Sequence, residues 1–241
     1  MSAFRSIVFS AVVAGGLVGA VITVAQQFGT VPLIAKGEVY EKAADEAAAK
    51  SAAAAPAAHQ HGEHEQGEHV HAESAWEPRQ GLERNSFTAA ANILTAIGFA
   101  LVLAGIYALR GAVTWHEGLL WGLSGFVVFT VAPGLGLPPE LPGVPAAPLG
   151  PRQIWWVATV AATAAGLALL LLRRSPWTAV AGLCLIALPH VVGAPHLEDV
   201  HTDVPEALSR RFAVAVTLTS LLFWVLLGSL TSIAYRRFSA A

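Results

Sequence analysis

Six long apolar runs restrict what this chain can fold into. The hydrocarbon core of a bilayer is about 30 Å thick, which an α-helix crosses in roughly 20 apolar residues. Only 12% of the residues are charged, and the mean hydropathy is +0.58. Helices satisfy their own backbone polar groups in lipid, so we predict an all-α integral membrane protein with about six transmembrane helices. The runs lie at about 6–25, 87–109, 115–133, 153–172, 176–193 and 211–233.

The runs divide the chain into a first transmembrane helix in 1–35, an exposed low-complexity loop in 36–86 and a helical bundle in 87–241. The first run also has features of a signal peptide, because Arg5 precedes it and Thr23-Val24-Ala25 resembles a weak cleavage site. An apolar run of about 19 residues is long for a signal peptide, which favours a retained helix. Gly15 and Gly19 form a GxxxG pattern that predicts close contact with another helix.

The loop carries a histidine-rich segment, HQHGEHEQGEHVH, at 59–71. Imidazole binds divalent first-row metals, and free imidazole protonates near pH 6.5, so we predict metal capture that weakens in acid. The spacing does not match a closed zinc site, and it does not choose among cobalt, nickel, copper and zinc. A solvated polar linker is the alternative. The five histidines are His59, His61, His64, His69 and His71.

The remainder of the loop is predicted to be part helix and part mobile chain. Two glutamate–lysine pairs spaced i,i+4, Glu38/Lys42 and Glu46/Lys50, indicate a short exposed helix. From about 51 to 80, glycine, charge and the lack of an apolar face predict mobility.

A second ionisable cluster follows the fifth apolar run. His190 ends that run beside Pro189, which is expected to break the helix there. Ionisable groups at membrane depth are expensive and are therefore functional candidates. If 196–203 is helical, His196, Asp199 and Asp203 share one face, and with His201 they form an outer metal site. The alternative is a polar loop that caps the next helix.

His116 and Glu117 begin the third run. The sequence there is HEGLL rather than HExxH, which excludes the zinc-protease pattern. The pair is either an inner metal or proton site or a charged pair that caps a helix. No GxxxxGK[ST] phosphate loop is present, and we predict that the chain is not an enzyme. The net charge of −2 gives no attraction to nucleic acid.

Two further features lie within or beside the apolar runs. The segment 133–145 contains five prolines and one acid, Glu140, and is predicted to be irregular: an outer loop on the bundle or a re-entrant piece lining a cavity. Asn92 lies inside the second run. We expect it to form a hydrogen bond between helices, with a role as a metal ligand as the alternative.

The arginines of the short loops predict the orientation. With the N-terminus in the cytoplasm, six arginines lie on the cytoplasmic side and three on the other, which agrees with the positive-inside rule. The histidine-rich segment is then extracytoplasmic. The cytoplasmic six are Arg5, Arg110, Arg173, Arg174, Arg236 and Arg237, and the other three are Arg152, Arg210 and Arg211.

Several segments resemble CbtA, a family of predicted cobalt transporter subunits. They are FRSIVFSAVVAGGLVGAVITVAQQF, HEGLLWGLSGFVVFTVAPGLGLPPELPG, PRQIWWVATVAATAAGLALL and LPHVVGAP, together with a histidine-bearing loop after the first helix. The resemblance implies a multi-helix inner-membrane protein proposed to import cobalt for cobalamin synthesis. It also implies a small single-helix companion, CbtB. The residues that match are His116, Glu117 and His190; the family offers no catalytic residues to transfer.

We therefore predict a transporter component that takes up divalent cobalt as its substrate, with nickel or zinc as alternatives and no tightly bound cofactor. The histidine-rich segment captures the ion outside, and the helix bundle passes it inward through the outer cluster and the His116–Glu117 pair. A membrane protein that binds or senses metal without transporting it is the principal alternative. A membrane metalloenzyme, which would retain its metal tightly, is a third.

Overall fold

The computed structural model describes residues 2–54, 78–111, 113–173, 175–197 and 201–240. These residues form seven helices and no strand, which confirms the all-helical prediction. The histidine-rich segment and Asp199 lie outside the described residues. The helices are α1 (Ala3–Phe28), α2 (Val31–Ala54), α3 (Leu82–Arg110), α4 (Trp115–Gly136), α5 (Leu149–Leu172), α6 (Pro176–Val192) and α7 (Glu206–Ser239).

Five of these helices, α1, α3, α4, α5 and α7, are long and apolar enough to cross a membrane. The remaining apolar run of the sequence forms α6, which has 17 residues. At 1.5 Å per residue α6 is about 25 Å long, somewhat less than the hydrocarbon thickness of a bilayer. The described residues thus contain five candidate spans and one shorter apolar helix, against the six spans predicted.

The glycines of α1 allow it to pack directly on the backbone of α3. A Cβ on Gly15 would lie 2.5 Å from the backbone nitrogen of Ile97, and one on Gly19 would lie 2.5 Å from the Cα of Ile93. The amide of Asn92 donates to Thr23 Oγ1 at 3.0 Å and to Gln26 Oε1 at 2.7 Å. Close contact through GxxxG and a helix–helix bond from Asn92 are both confirmed.

Glycines also bring α4 and α7 together. Gly118 and Gly122 face Gly228 with no space for a Cβ on any of the three. Above this contact an aromatic cluster fills the middle of the bundle, where Trp224 lies 4.9 Å from Phe99 and 5.5 Å from Phe129 between ring centroids. The interior between α1, α3, α4 and α7 is therefore closely packed at mid-height.

Neither Pro133 in α4 nor Pro189 in α6 ends its helix, although the sequence predicted a helix end at each. In α4 the residues Val127–Val131 form a π-helical turn, in which the Ala132 N–H donates to the Val127 carbonyl. This wider turn precedes Pro133, which has no N–H to donate, and the helix then continues to Gly136. The prediction that Pro133–Gly136 is irregular was wrong. Likewise, Pro189 lies inside α6, which ends three residues later at Val192.

The two ends of the bundle differ. At the amino-terminal end, α1 and α7 meet through a hydrogen bond from Ser6 Oγ to the Phe238 carbonyl, at 3.1 Å. At the opposite end, which we call the capped end, the first part of α2 covers the bundle. There Leu33 and Ile34 pack on a buried cluster of Leu141, Val204 and Phe212. The segment 137–148 is not helical and packs on this end of the bundle through Leu141.

Candidate functional site

One tryptophan joins three helices at the capped end. Trp155, in the second turn of α5, is only 7% exposed. Its indole Nε1 donates to the carbonyl of Pro189 in α6, at 3.1 Å. Its ring covers Gly136 at the end of α4 so closely that a Cβ there would lie 2.7 Å from Cζ2 and 3.0 Å from Ala194 Cβ. We call Trp155, Gly136, Pro189, His190 and Ala194 the Trp155 junction.

His190 lies at the edge of this junction. Its ring is 5.9 Å from that of Trp155 at an angle of 74°, an edge-to-face contact, and the residue is half-buried. Within the described part of the chain neither ring nitrogen has a hydrogen-bond partner. A neutral imidazole with a free nitrogen is a competent ligand for a first-row metal.

The local sequence explains this geometry. Gly193 adopts φ +85, which ends α6 and turns the chain back toward the bundle. The Gly193 N–H and the Trp155 indole both donate to the Pro189 carbonyl, so this oxygen accepts two hydrogen bonds. Together they hold the end of α6 against α5. His190, one residue further along, is thereby held in place.

Those of the other predicted outer ligands that the structure describes are not gathered into a cluster. His196, His201 and Asp203 are exposed, and the described residues in 193–197 and 201–205 are not helical. The helix on which a shared face of His196 and Asp203 depended is therefore not formed by these residues. Among the described residues no group of three or more His, Cys, Asp or Glu is placed to hold a metal.

The chain around 201–205 has a structural anchor instead. Thr202 Oγ1 donates to the Gly143 carbonyl at 2.8 Å and accepts from the Val204 N–H at 3.2 Å. The Val204 side chain is buried with Leu141. These contacts join the segment that carries His201 and Asp203 to the segment 137–148.

Glu117 caps a helix. It closes a capping box in which the Thr114 N–H donates to Glu117 Oε2 at 2.7 Å and the Glu117 N–H donates to Thr114 Oγ1 at 3.3 Å. Helix capping, one of the two roles predicted for the His116–Glu117 pair, is thus observed for Glu117. His116 stacks on Trp115, with ring centroids 3.6 Å apart, and both His116 and Glu117 are exposed.

The His116–Glu117 pair and the Trp155 junction lie at opposite ends of one helix. His116 stands in the first turn of α4 and Gly136 is its last residue. Twenty residues at 1.5 Å each separate them by about 30 Å, the thickness of a hydrocarbon core.

Charge is distributed unevenly between the two ends. All four ion pairs found among the described residues lie at the capped end, including Arg84–Glu38 at 2.6 Å and Arg152–Glu140 at 2.8 Å. At the amino-terminal end Arg5 and Arg110 instead lie over the rings of Phe9 and Trp121. The sequence singled out Glu140 but gave no sign of its partner, which is 12 residues away in the next helix.

An open groove of about 1240 Å³ lies between α4, α5 and α7. The charged residues Glu140, Arg152 and Arg210 lie at its mouth, and the rest of its lining is mainly apolar, with one amide and three hydroxyl side chains among it. None of the predicted metal ligands that the structure describes lines it. Sequence reasoning missed this groove because it depends on the separation of α5 from α7.

Comparison with known proteins identifies one family. The family model described as "Probable cobalt transporter subunit (CbtA)" matches residues 4–236, nearly the whole chain. No curated protein and no solved structure matches the chain. Segments that carried the resemblance in the sequence are also those that meet in space: Gly136, Trp155 and His190 come from three of them.

Proposed function

We infer the function of this chain from its family: the chain belongs to CbtA, the probable cobalt transporter subunits. It is a membrane protein with five candidate spans. We propose that it takes up divalent cobalt, or a related first-row dication, and carries it across the membrane through the helix bundle as substrate. The half-buried His190, held in the Trp155 junction with an available ring nitrogen, is the observation that carries this proposal.

The histidine-rich segment captures the ion. Its five imidazoles raise the local concentration of metal outside the membrane. The described helix that leads to it supports this role, since α2 is exposed from Glu41 to Ser51. This exposed part extends the helix by about 15 Å beyond its packed part.

The ion then passes between two weak sites. His190 is the fixed ligand of the outer one, and His196, Asp199, His201 and Asp203 contribute from the adjoining chain. His116 and Glu117 receive the ion at the other end of α4. Weak sites in series suit transport, because a closed and tight site would retain the ion.

The chain lies in the inner membrane with its N-terminus in the cytoplasm. Support comes from the short-loop arginines, of which six lie on the side of the N-terminus and three on the other. A potential of 100 mV contributes about 2.3 kcal/mol per unit charge, which draws a dication inward. The family description calls its members subunits, and we propose a small single-helix companion of the CbtB kind.

The test is uptake of radiolabelled cobalt into vesicles that contain this chain and its companion. We compare His190→Phe, which retains an aromatic ring against Trp155 but has no ring nitrogen, with His190→Ala, which has neither. Ligation by His190 predicts that both variants lose uptake. Full uptake by His190→Phe would refute a ligand role, and metal binding without uptake by any form would favour the non-transporting alternative.

A further inference from the structure

We propose that the groove between α4, α5 and α7 is a binding site for one phospholipid, with the lipid phosphate held at the mouth by Arg152 and Arg210. This proposal is independent of metal transport. It depends on where the charged and apolar side chains of the groove lie along its length.

The charged residues all lie at one end. Arg152 is in the first turn of α5, Arg210 begins the second turn of α7, and Glu140 follows the end of α4. One turn deeper the lining becomes apolar, with Trp156 and Val157 from α5 and Val214 from α7. A polar mouth above an apolar slot is complementary to an amphiphile that has a charged head and a long tail.

The deeper hydroxyls do not need a polar ligand. Thr130 of α4 and Ser220 of α7 hydrogen-bond to each other at 2.7 Å, and Thr217 Oγ1 donates to the Ala213 carbonyl at 2.8 Å. Their hydrogen-bonding capacity is largely used within the protein, which leaves methyl groups and hydrocarbon to contact a tail.

The mouth retains donors suited to phosphate. Arg152 uses one terminal nitrogen for Glu140, at 2.8 Å, and Arg210 uses one for Glu206, at 2.6 Å. A guanidinium has five N–H donors, so each arginine has others to offer, and its planar fork fits phosphate oxygens. The two arginines are balanced in charge by Glu140 and Glu206, so the mouth offers unused N–H donors rather than a net positive charge.

The experiment measures phospholipid phosphorus that remains on the full chain after exhaustive exchange into lipid-free detergent, with native mass spectrometry to count molecules. Two variants perturb the groove in different ways: Arg152→Gln/Arg210→Gln removes the mouth charges, and Val214→Trp fills the apolar part. Arg79→Gln is the matched control, since Arg79 is an exposed arginine near the same end that does not line the groove.

We expect about one retained phospholipid per chain in the wild type and in Arg79→Gln, and a loss of roughly tenfold or more in each groove variant. Equal retention by all four proteins would overturn the proposal. Two other results would also overturn it. One is release of the lipid by millimolar inorganic phosphate, which would show that only the headgroup is bound; the other is a polypeptide in the groove instead of lipid. The Val214→Trp variant tests the proposal even if the arginine variant fails to fold.

Discussion

Gly136→Ala tests the Trp155 junction with a single methyl group. A Cβ at residue 136 would lie 2.7 Å from Trp155 Cζ2 and 3.0 Å from Ala194 Cβ, well inside van der Waals contact. Neither the buried indole nor the end of α6 can move freely, because the Trp155 Nε1 bond to the Pro189 carbonyl joins them. Overpacking of this kind costs about 1–3 kcal/mol.

Alanine is also a better helix former than glycine, by roughly 0.5–1 kcal/mol. The net effect of Gly136→Ala is then a loss of about 1–2 kcal/mol. Gly134→Ala is a matched control two residues away in the same helical turn, where a Cβ meets nothing within 4 Å. Because neither glycine has a positive φ, the backbone accepts alanine at both, and Gly134→Ala should leave stability unchanged or slightly raise it.

The assay is reversible unfolding by SDS titration in mixed micelles. A double-mutant cycle with Trp155→Phe adds specificity, since phenylalanine lacks the indole atoms that the new methyl would strike. The cost of Gly136→Ala should fall by about 1 kcal/mol in the Trp155→Phe background. If Gly136→Ala and Gly134→Ala unfold at the same SDS fraction, the close packing of three helices on Trp155 is wrong.

Three further predictions concern other parts of the chain. Asn92→Leu removes both bonds to α1 and should destabilise the protein by about 0.6–1.7 kcal/mol in the same SDS titration; no change would show that the pair α1–α3 is held by its glycines alone. Glu117→Gln preserves a capping-box residue but removes its charge, so stability should stay within about 0.5 kcal/mol while cobalt uptake falls; uptake that stays normal would leave Glu117 only its capping role. Deletion of 59–71 should raise the cobalt concentration for half-maximal uptake and leave the maximal rate intact, and loss of uptake at every concentration would contradict a concentrating role.

Much of the fold could be read from the sequence because membrane spans depend on length and composition alone. The positions of the apolar helices followed from the runs, and Gly15, Gly19 and Asn92 each indicated a real contact between helices. These are local signals, since each depends on one helix and on the chemistry of lipid.

The helix ends were harder to predict because a proline near a helix terminus does not fix where the helix stops. A π-helical turn precedes Pro133 in α4, and the Trp155 indole and the Gly193 N–H both donate to the carbonyl of Pro189 at the end of α6. Neither arrangement can be seen in a sequence, because each depends on backbone geometry or on a distant residue.

The candidate site could be predicted only in part. The sequence singled out His190 because an ionisable side chain is costly inside a membrane. Its contact with Trp155 could not be predicted, because it depends on how α4, α5 and α6 pack. The described residues of 196–203 are not helical; Thr202 bonds to the Gly143 carbonyl and Val204 packs with Leu141 instead, contacts that depend on a distant segment. The capping role of Glu117, by contrast, follows the Thr-x-x-Glu pattern at Thr114.

The most direct test of a metal site at His190 is X-ray absorption spectroscopy of Co²⁺ bound to the purified chain. The segment 59–71 is deleted so that its imidazoles do not contribute. We predict an imidazole nitrogen in the cobalt coordination shell when His190 is present. His190→Phe should lose this ligand and weaken cobalt binding at least tenfold, about 1.4 kcal/mol. An identical spectrum and affinity in the two proteins would contradict the account.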